Sequence, residues 1–304
     1  MLTVTCMVGR RGVQSEFIHI AALYFESTTV CGTIRLGRRC HITLLPDFQA
    51  RYSGCLAGRA ARKEAPAGGH WAWKLWRFEE TKVRYREDAP AGQTAFRHLP
   101  GARPVLISAP HGARHWRHEE WKGEDEYTSA MAHLLATLTG AHALYTVRRI
   151  RPDPNYDDDS DYKRTLARLL HEHDIELVLD LHGARRGRDF GVELGTMSGL
   201  TCPDYESTII RHLEGQGFVR DHRRSLDRLW VNRLFKGGAR QRTVTRFVWE
   251  QCGVNAAQLE INAHLRVVRR KADAVLYAGE PDFTADPVRM RRVVQALIRI
   301  VRAV

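Results

Sequence analysis

Two phrases in this chain stop at the same dipeptide: Pro104-Val-Leu-Ile-Ser-Ala-Pro-His111-Gly112 and Glu176-Leu-Val-Leu-Asp180-Leu-His182-Gly183. Each is a short Val/Ile/Leu run ended by His-Gly, which reads as a strand buried on both faces and closed by a turn. Two imidazoles delivered by two parallel strands could meet across one crevice. With a carboxylate they make the donor set of a catalytic Zn2+ site, whose fourth position stays open to water. The run Glu124-Asp125-Glu126, between the two phrases, supplies candidate acids. Asp180 shares a strand face with His182 and could anchor its imidazole from behind or close an ion pair.

Glu260 is the second informative residue. In Gln258-Leu-Glu260-Ile-Asn262 the alternation puts three polar side chains on one face. A carboxylate among apolar neighbours is costly unless partnered, so that face is an active-site wall or a solvated edge. Beside a metal-bound water, a buried glutamate with a raised pKa would serve as general base and acid. Arg149 and Asn155 fall on a loop after a strand, where a guanidinium could grip a substrate carboxylate bidentately. Asn232 opens a Gly-rich loop with Phe235-Lys236-Gly237-Gly238.

The elements that would position these residues become regular from Arg103. A helix is expected from about Glu126 to Thr139, with Ala130, Met131, Leu134, Leu135 and Leu138 inward and Gly140 ending it. Its acidic first turn also suits the helix dipole, an explanation of that cluster that needs no metal. Strands are expected at Ala143–Val147, Phe190–Leu194 and Val254–Ile261, and helices at Asp161–His173 and Asp204–Gly215. A last helix starts at Asp286-Pro287, an N-cap followed by proline, with Val288, Val293, Val294, Leu297 and Val301 as its buried stripe. Strands alternating with helices indicate an α/β protein with a mostly parallel or mixed central sheet and helices on both faces. Ligands gather at the carboxyl ends of such strands.

Residues 1–75 are poorly defined as an extension. Phe17–Tyr24 and His41–Leu45 read as strands or a short helix, Arg59–Gly69 as a linker, and Trp71, Trp73 and Trp76 as a strand packed on the domain. Residues 76–304 form the expected catalytic domain. The net charge of +12 is nearly all arginine, spread along the chain. Without finger spacing, RNP-like aromatics or an isolated basic helix, it predicts no nucleic-acid partner. No apolar run approaches the roughly 20 residues of a membrane span. The six cysteines contain no C-x-x-C pair and read as free thiols in a reducing, cytoplasmic setting.

Taken together, the motifs resemble the N-formylglutamate amidohydrolase family. The matching phrases are Pro110-His111-Gly112, Glu124-Asp-Glu126-Tyr-Thr, Arg149-x-x-x-Asp153-x-Asn155, Asp180-Leu-His182-Gly183, Leu194-Gly195, Asn232-x-x-Phe235-Lys-Gly237-Gly238 and Gln258-Leu-Glu260-Ile-Asn262. They keep their order from about residue 100 to 270. The resemblance implies a zinc-carboxypeptidase-like (phosphorylase/hydrolase-like) fold and one Zn2+ held by His111, an acid and His182. Glu126 is the favoured acid, because Glu126-Tyr-Thr128 is similar to a ligand phrase of aspartoacylase relatives; Glu124 is next and Asp125 third. It further implies Glu260 as general base, with Arg149, Asn155 and Asn232 orienting a small N-acyl amino acid or peptide-like substrate. The family's Asp-Leu-Asn-Arg phrase appears here as Asp153-Pro-Asn155-Tyr156, without its arginine. The rival readings are a zinc peptidase or poly-glutamate hydrolase on the same scaffold, and a metal-free arginine-rich binding protein.

Overall fold

The computed structural model describes residues 4–8, 16–20, 34–36, 40–42, 69–239, 241–275 and 285–304. The chain divides into two compact units, Met1–Lys63 and Glu64–Val304. In the first, β1 (Val4–Val8) pairs antiparallel with β2 (Glu16–Ile20), and β3 (Ile34–Leu36) with β4 (Cys40–Ile42). The runs read as strands or a short helix are therefore strand over Phe17–Ile20 and His41–Ile42. Residues 21–24, 43–45 and 59–68 of the sequence expectations lie outside the described residues.

The second unit is built on one seven-stranded sheet. Its parallel centre consists of β13 (Asn255–Asn262), β10 (Leu177–Ala184), β6 (Val105–Ala109) and β9 (His142–Thr146), side by side in that order. Antiparallel β5 (Phe96–Leu99) closes one edge. At the other, β11 (Val192–Gly195) runs antiparallel to β13 and pairs with β12 (Leu229–Val231). A small hairpin, β7 (His115–Arg117) and β8 (Glu120–Lys122), follows β6.

Strand alternation sorts the side chains into two cores. Val105, Ile107, Leu177, Leu179, Leu181, Ala257, Leu259 and Ile261 face one way. There they meet α1 (Gly69–Lys82), α2 (Thr128–Thr139), α4 (Glu206–Glu214) and α6 (Pro287–Arg302). Leu106, Leu144, Val178 and Ala256 face the other way, toward α3 (Asp161–Glu172) and the short α5 (Val244–Phe247). The expected mixed sheet with helices on both faces is the observed one. Among the described residues no helix is long and apolar enough to cross a membrane.

Three expectations are corrected. Trp71, Trp73 and Trp76 lie in a helix, because Ala72, Leu75 and Glu79 recur at helical spacing and turn inward, leaving the tryptophans half-buried. Helix α2 starts at Thr128, since Tyr127 is left-handed at φ 67°. Glu124, Asp125 and Glu126 therefore precede the helix, and the dipole no longer accounts for them. In α6 the buried stripe begins at Met290, and Val288 in the first turn is exposed.

Candidate metal centre

One face of the sheet changes character along its strands. On the side of the second core, β6 runs from Leu106 to Ser108, β10 from Val178 to Asp180 and His182, and β13 from Ala256 to Gln258 and Glu260. The opposite face stays apolar over Val105–Ala109, Leu177–Leu181 and Ala257–Ile261. Register then aligns the polar ends: Asp180 lies between Ser108 and Gln258, and His182 lies opposite Glu260. Glu193 of β11 lies opposite Glu260 on its other side. All of these side chains are buried.

His111 follows directly on β6. A Cβ on Gly112 would meet Ser129 Oγ at 1.8 Å, so glycine lets the chain pass tightly under the start of α2. The loop into α2 returns to the same place. Asp125 N donates to His111 O (2.8 Å), and Thr128 Oγ1 donates to Asp125 O (2.8 Å). These bonds fix Asp125 with its carboxylate toward the histidines.

The rings of His111 and His182 stand edge to face with centroids 5.0 Å apart. Asp125 Oδ2 lies 3.6 Å from His111 Nδ1 and 3.1 Å from His182 Nδ1. Their ligand atoms all fall within 4.8 Å of one another. Each imidazole is held from behind by a buried carboxylate. His111 Nε2 donates to Asp153 Oδ1 (2.7 Å), and His182 Nε2 donates to Asp180 Oδ2 (3.1 Å). Asp180 is itself held by Ser108 Oγ (2.8 Å), and Asp153 Oδ1 accepts Asn155 N (2.8 Å). Such carboxylate–histidine pairs fix the ring and its tautomer, leaving Nδ1 free to ligate.

The electrostatics favour a cation. Burial alone would depress the His182 imidazole, but Asp180, Asp125 and Glu260 outweigh it and hold its pKa well above the usual value. His111 ends raised for the same reason, against burial, through Asp153 and Asp125. Burial would lift Asp125, yet its bonds to both histidines hold it far below the carboxylate range. Protons on these imidazoles occupy the place that positive charge from a divalent ion would take. Two nitrogens, one carboxylate oxygen and carboxylates behind both rings fit Zn2+.

A second potential group, His111, His115 and Asp153, shares His111. It would need the nitrogen by which Asp153 holds that ring, and Arg117 Nη1 stands 3.6 Å from Asp153 Oδ2. The His111–Asp125–His182 group is the better metal site. His115, stacked on His111 at 3.7 Å, is kept neutral by burial and by the neighbouring His111, its pKa pushed down to about 3.

Glu260 adjoins this group. Its Oε1 accepts Gln258 Nε2 (2.8 Å), and burial lifts its pKa to about 7 despite the charge of His182. Glu193 Oε1 accepts the backbone N–H groups of Arg233, Leu234 and Phe235 at 2.9, 2.5 and 2.9 Å. That folds the Gly-rich loop against the glutamate pair.

Other sequence candidates fall elsewhere. Glu126, the favoured acid, is not brought to the histidines: its Oε2 lies 3.2 Å from Arg270 Nε, and burial lifts its pKa to about 7. Glu124 Oε1 accepts Val275 N (2.6 Å). Of the three acids, the structure brings only Asp125 into the group. Arg149 forms a two-bond pair with exposed Asp88 and stacks on Trp121. It lines a cavity of about 560 Å³ with Phe96, Arg151 and Ser160, and none of the three metal-site residues lines that cavity. Asn155 Oδ1 accepts Val244 N (2.8 Å), and Asn232 is tied through its side-chain amide to Thr196. The grip of Asp153 on His111 and the approach of His115 and Arg117 were not anticipated. A strand reading of His115–Arg117 would have placed those two side chains on one face.

No family model matches the chain, and no curated protein matches it. Solved structures do. An N-formylglutamate amidohydrolase from Ralstonia eutropha JMP134 is 16% identical, with 69% of this chain and 97% of that chain covered and a TM-score of 0.43. A bacteriophage poly-gamma-glutamate hydrolase is 13% identical, covering 71% of this chain and 91% of that one at 0.37. A succinylglutamate desuccinylase from Chromobacterium violaceum is 14% identical, covering 74% and 75% at 0.39. The family that the sequence motifs resemble is thus among the names found. None of the three reaches a TM-score of 0.5, so what they act on says nothing by itself about this chain.

Proposed function

We propose that this protein is a zinc-dependent amidohydrolase that cleaves the linear amide bond of an N-acyl, N-formyl-like, amino acid. The observation that carries the reading is the convergence of His111 Nδ1, His182 Nδ1 and Asp125 Oδ2, each imidazole backed by its own buried carboxylate. Bound there, Zn2+ would polarise the amide carbonyl and lower the pKa of a water to about 7. Asp153 and Asp180 keep both imidazoles turned inward. Glu260, opposite His182 and lifted to about 7 by burial, is matched to taking a proton near neutrality and returning it to the leaving nitrogen. Gln258 fixes the carboxylate while leaving Oε2 available for that transfer.

The test is Glu260→Gln assayed on formyl, acetyl and peptidyl amino acids. Turnover is expected to fall by about 10²–10⁴-fold with metal content unchanged. Wild-type turnover in a folded, metal-loaded variant would overturn the role of Glu260. Preference for peptidyl substrates would instead make the protein a peptidase.

A further inference from the structure

We propose that His98, His142 and His173 form a second metal site, separate from the His111–Asp125–His182 centre. It takes a divalent ion that prefers imidazole, such as Zn2+, Ni2+ or Cu2+. This site stands independently of the hydrolase reading.

Three elements bring the rings together. In the β5–β9 pair His98 lies opposite Leu144. His142 comes two residues before Leu144, so it shares that residue's face and is the diagonal neighbour of His98. Phe96 and Leu144 point from this face into the second core, where α3 packs through Leu166, Leu169 and Leu170. His173 ends α3; its N–H donates to Leu169 O (3.1 Å) and its carbonyl accepts Ile175 N (2.8 Å), which fixes the backbone there. His142 opens β9, so the cluster lies at the amino-terminal end of the parallel strands. The centre described above lies at their carboxyl ends.

The ring centroids are 4.4 Å apart for His142 and His173, 5.8 Å for His98 and His142, and 6.4 Å for His98 and His173. Imidazoles bound at about 2.0–2.1 Å to a tetrahedral ion have centroids about 5 Å apart. The nitrogens do not stand within 4.8 Å of one another as those of the centre do, so an ion closes the site by turning the half-buried rings of His98 and His173. Two nitrogens lack a partner: His98 Nε2 and His142 Nδ1 are buried and make no hydrogen bond. Buried polar atoms are nearly always paired, and a bound ion supplies the missing partner. Burial and the neighbouring His173 hold both imidazoles below their usual pKa, which leaves them neutral with a lone pair to donate. The carboxyl end of α3 also favours a cation. The nearby Glu172 carboxylate is taken by Arg168 (2.6 Å). With three neutral donors and no carboxylate, the site is weaker than the centre and fills only from added ion.

The experiment dialyses zinc-loaded wild type against Ni2+, counts both elements and follows thermal unfolding in parallel. About one equivalent of nickel is expected beyond the zinc already held, with a higher unfolding midpoint, because an ion that binds only the folded state stabilises it. His98→Gln, His142→Gln and His173→Gln are each expected to lose the nickel and the rise in midpoint, with zinc content unchanged. His98 and His173 are half-buried, so their variants decide the matter even if His142→Gln does not fold. His171→Gln, which alters an exposed histidine of α3, is expected to keep both. No nickel uptake, uptake that persists in the folded variants, or nickel gained only as zinc is displaced would overturn the proposal. Nickel bound through these histidines in a wild type that holds no zinc would sink the hydrolase reading and leave this one standing.

Discussion

Asp125 and Glu126 are neighbours in sequence with opposite surroundings. Asp125 lies between two imidazoles and is held ionised; Glu126 is buried against Arg270 and lifted to about 7. The histidine pair was legible because each histidine ends an apolar strand with the same dipeptide. The acid was not, because a loop of three consecutive carboxylates has no periodicity to orient it. What orients it is the left-handed turn at Tyr127 and partners more than a hundred residues away. Buried acids also set a pH dependence. Glu79 Oε1 accepts Tyr85 OH and Tyr127 N, yet desolvation raises its pKa from 4.5 to about 7. The folded state then holds a proton that the unfolded chain releases, so stability falls as pH rises from about 4.5 to 7. The difference is worth up to about 3 kcal/mol. Glu79→Gln removes it. Denaturant titrations at pH 5 and pH 8 are therefore expected to show the variant gaining on wild type at the higher pH. A constant difference between the two proteins would contradict this.

At the scale of elements, the parallel strands were readable from their Val/Ile/Leu runs, and the face change along β10 and β13 from the placement of Asp180, His182, Gln258 and Glu260. Helix α1 was misread because three tryptophans at odd spacing mask the Ala72–Leu75–Glu79 face that is actually buried. The hairpin after His111 was not resolved, since its turn residues are histidine and glutamate rather than asparagine and glycine. Loop packing beside the site is tightly constrained. A Cβ on Gly195 would sit 2.3 Å from Phe235 O and 2.6 Å from Gly237 N, both backbone atoms that cannot swing aside. Gly195→Ala is expected to cost about 1–3 kcal/mol in thermal or denaturant unfolding. Gly187→Ala, with nothing within 4 Å, is the control and is expected to stay near wild type. Equal stabilities would show that the loop does not pack as described.

At the scale of the molecule, every residue of the centre lies in the unit from Glu64 to Val304, between two apolar cores that clamp one sheet. On the second-core face the sheet gathers buried polar side chains toward the carboxyl ends of β6, β10 and β13. That arrangement gathers charge into one place and shields it, which is how buried imidazoles and carboxylates come to hold a divalent ion. Among the described residues many arginines are exposed or paired with an acid, as Arg149 is with Asp88, whereas Arg266 is buried and donates to the backbone carbonyls of Ile261 and Ala184. The most direct measurement is elemental analysis of purified wild type beside Asp125→Asn, Glu126→Gln and His182→Ala, each checked for folding. Zinc near one equivalent per chain in wild type and Glu126→Gln, with loss in the other two, is the predicted result. No metal in wild type after reconstitution, or zinc retained in folded His182→Ala, would contradict the metal centre and the hydrolase built on it.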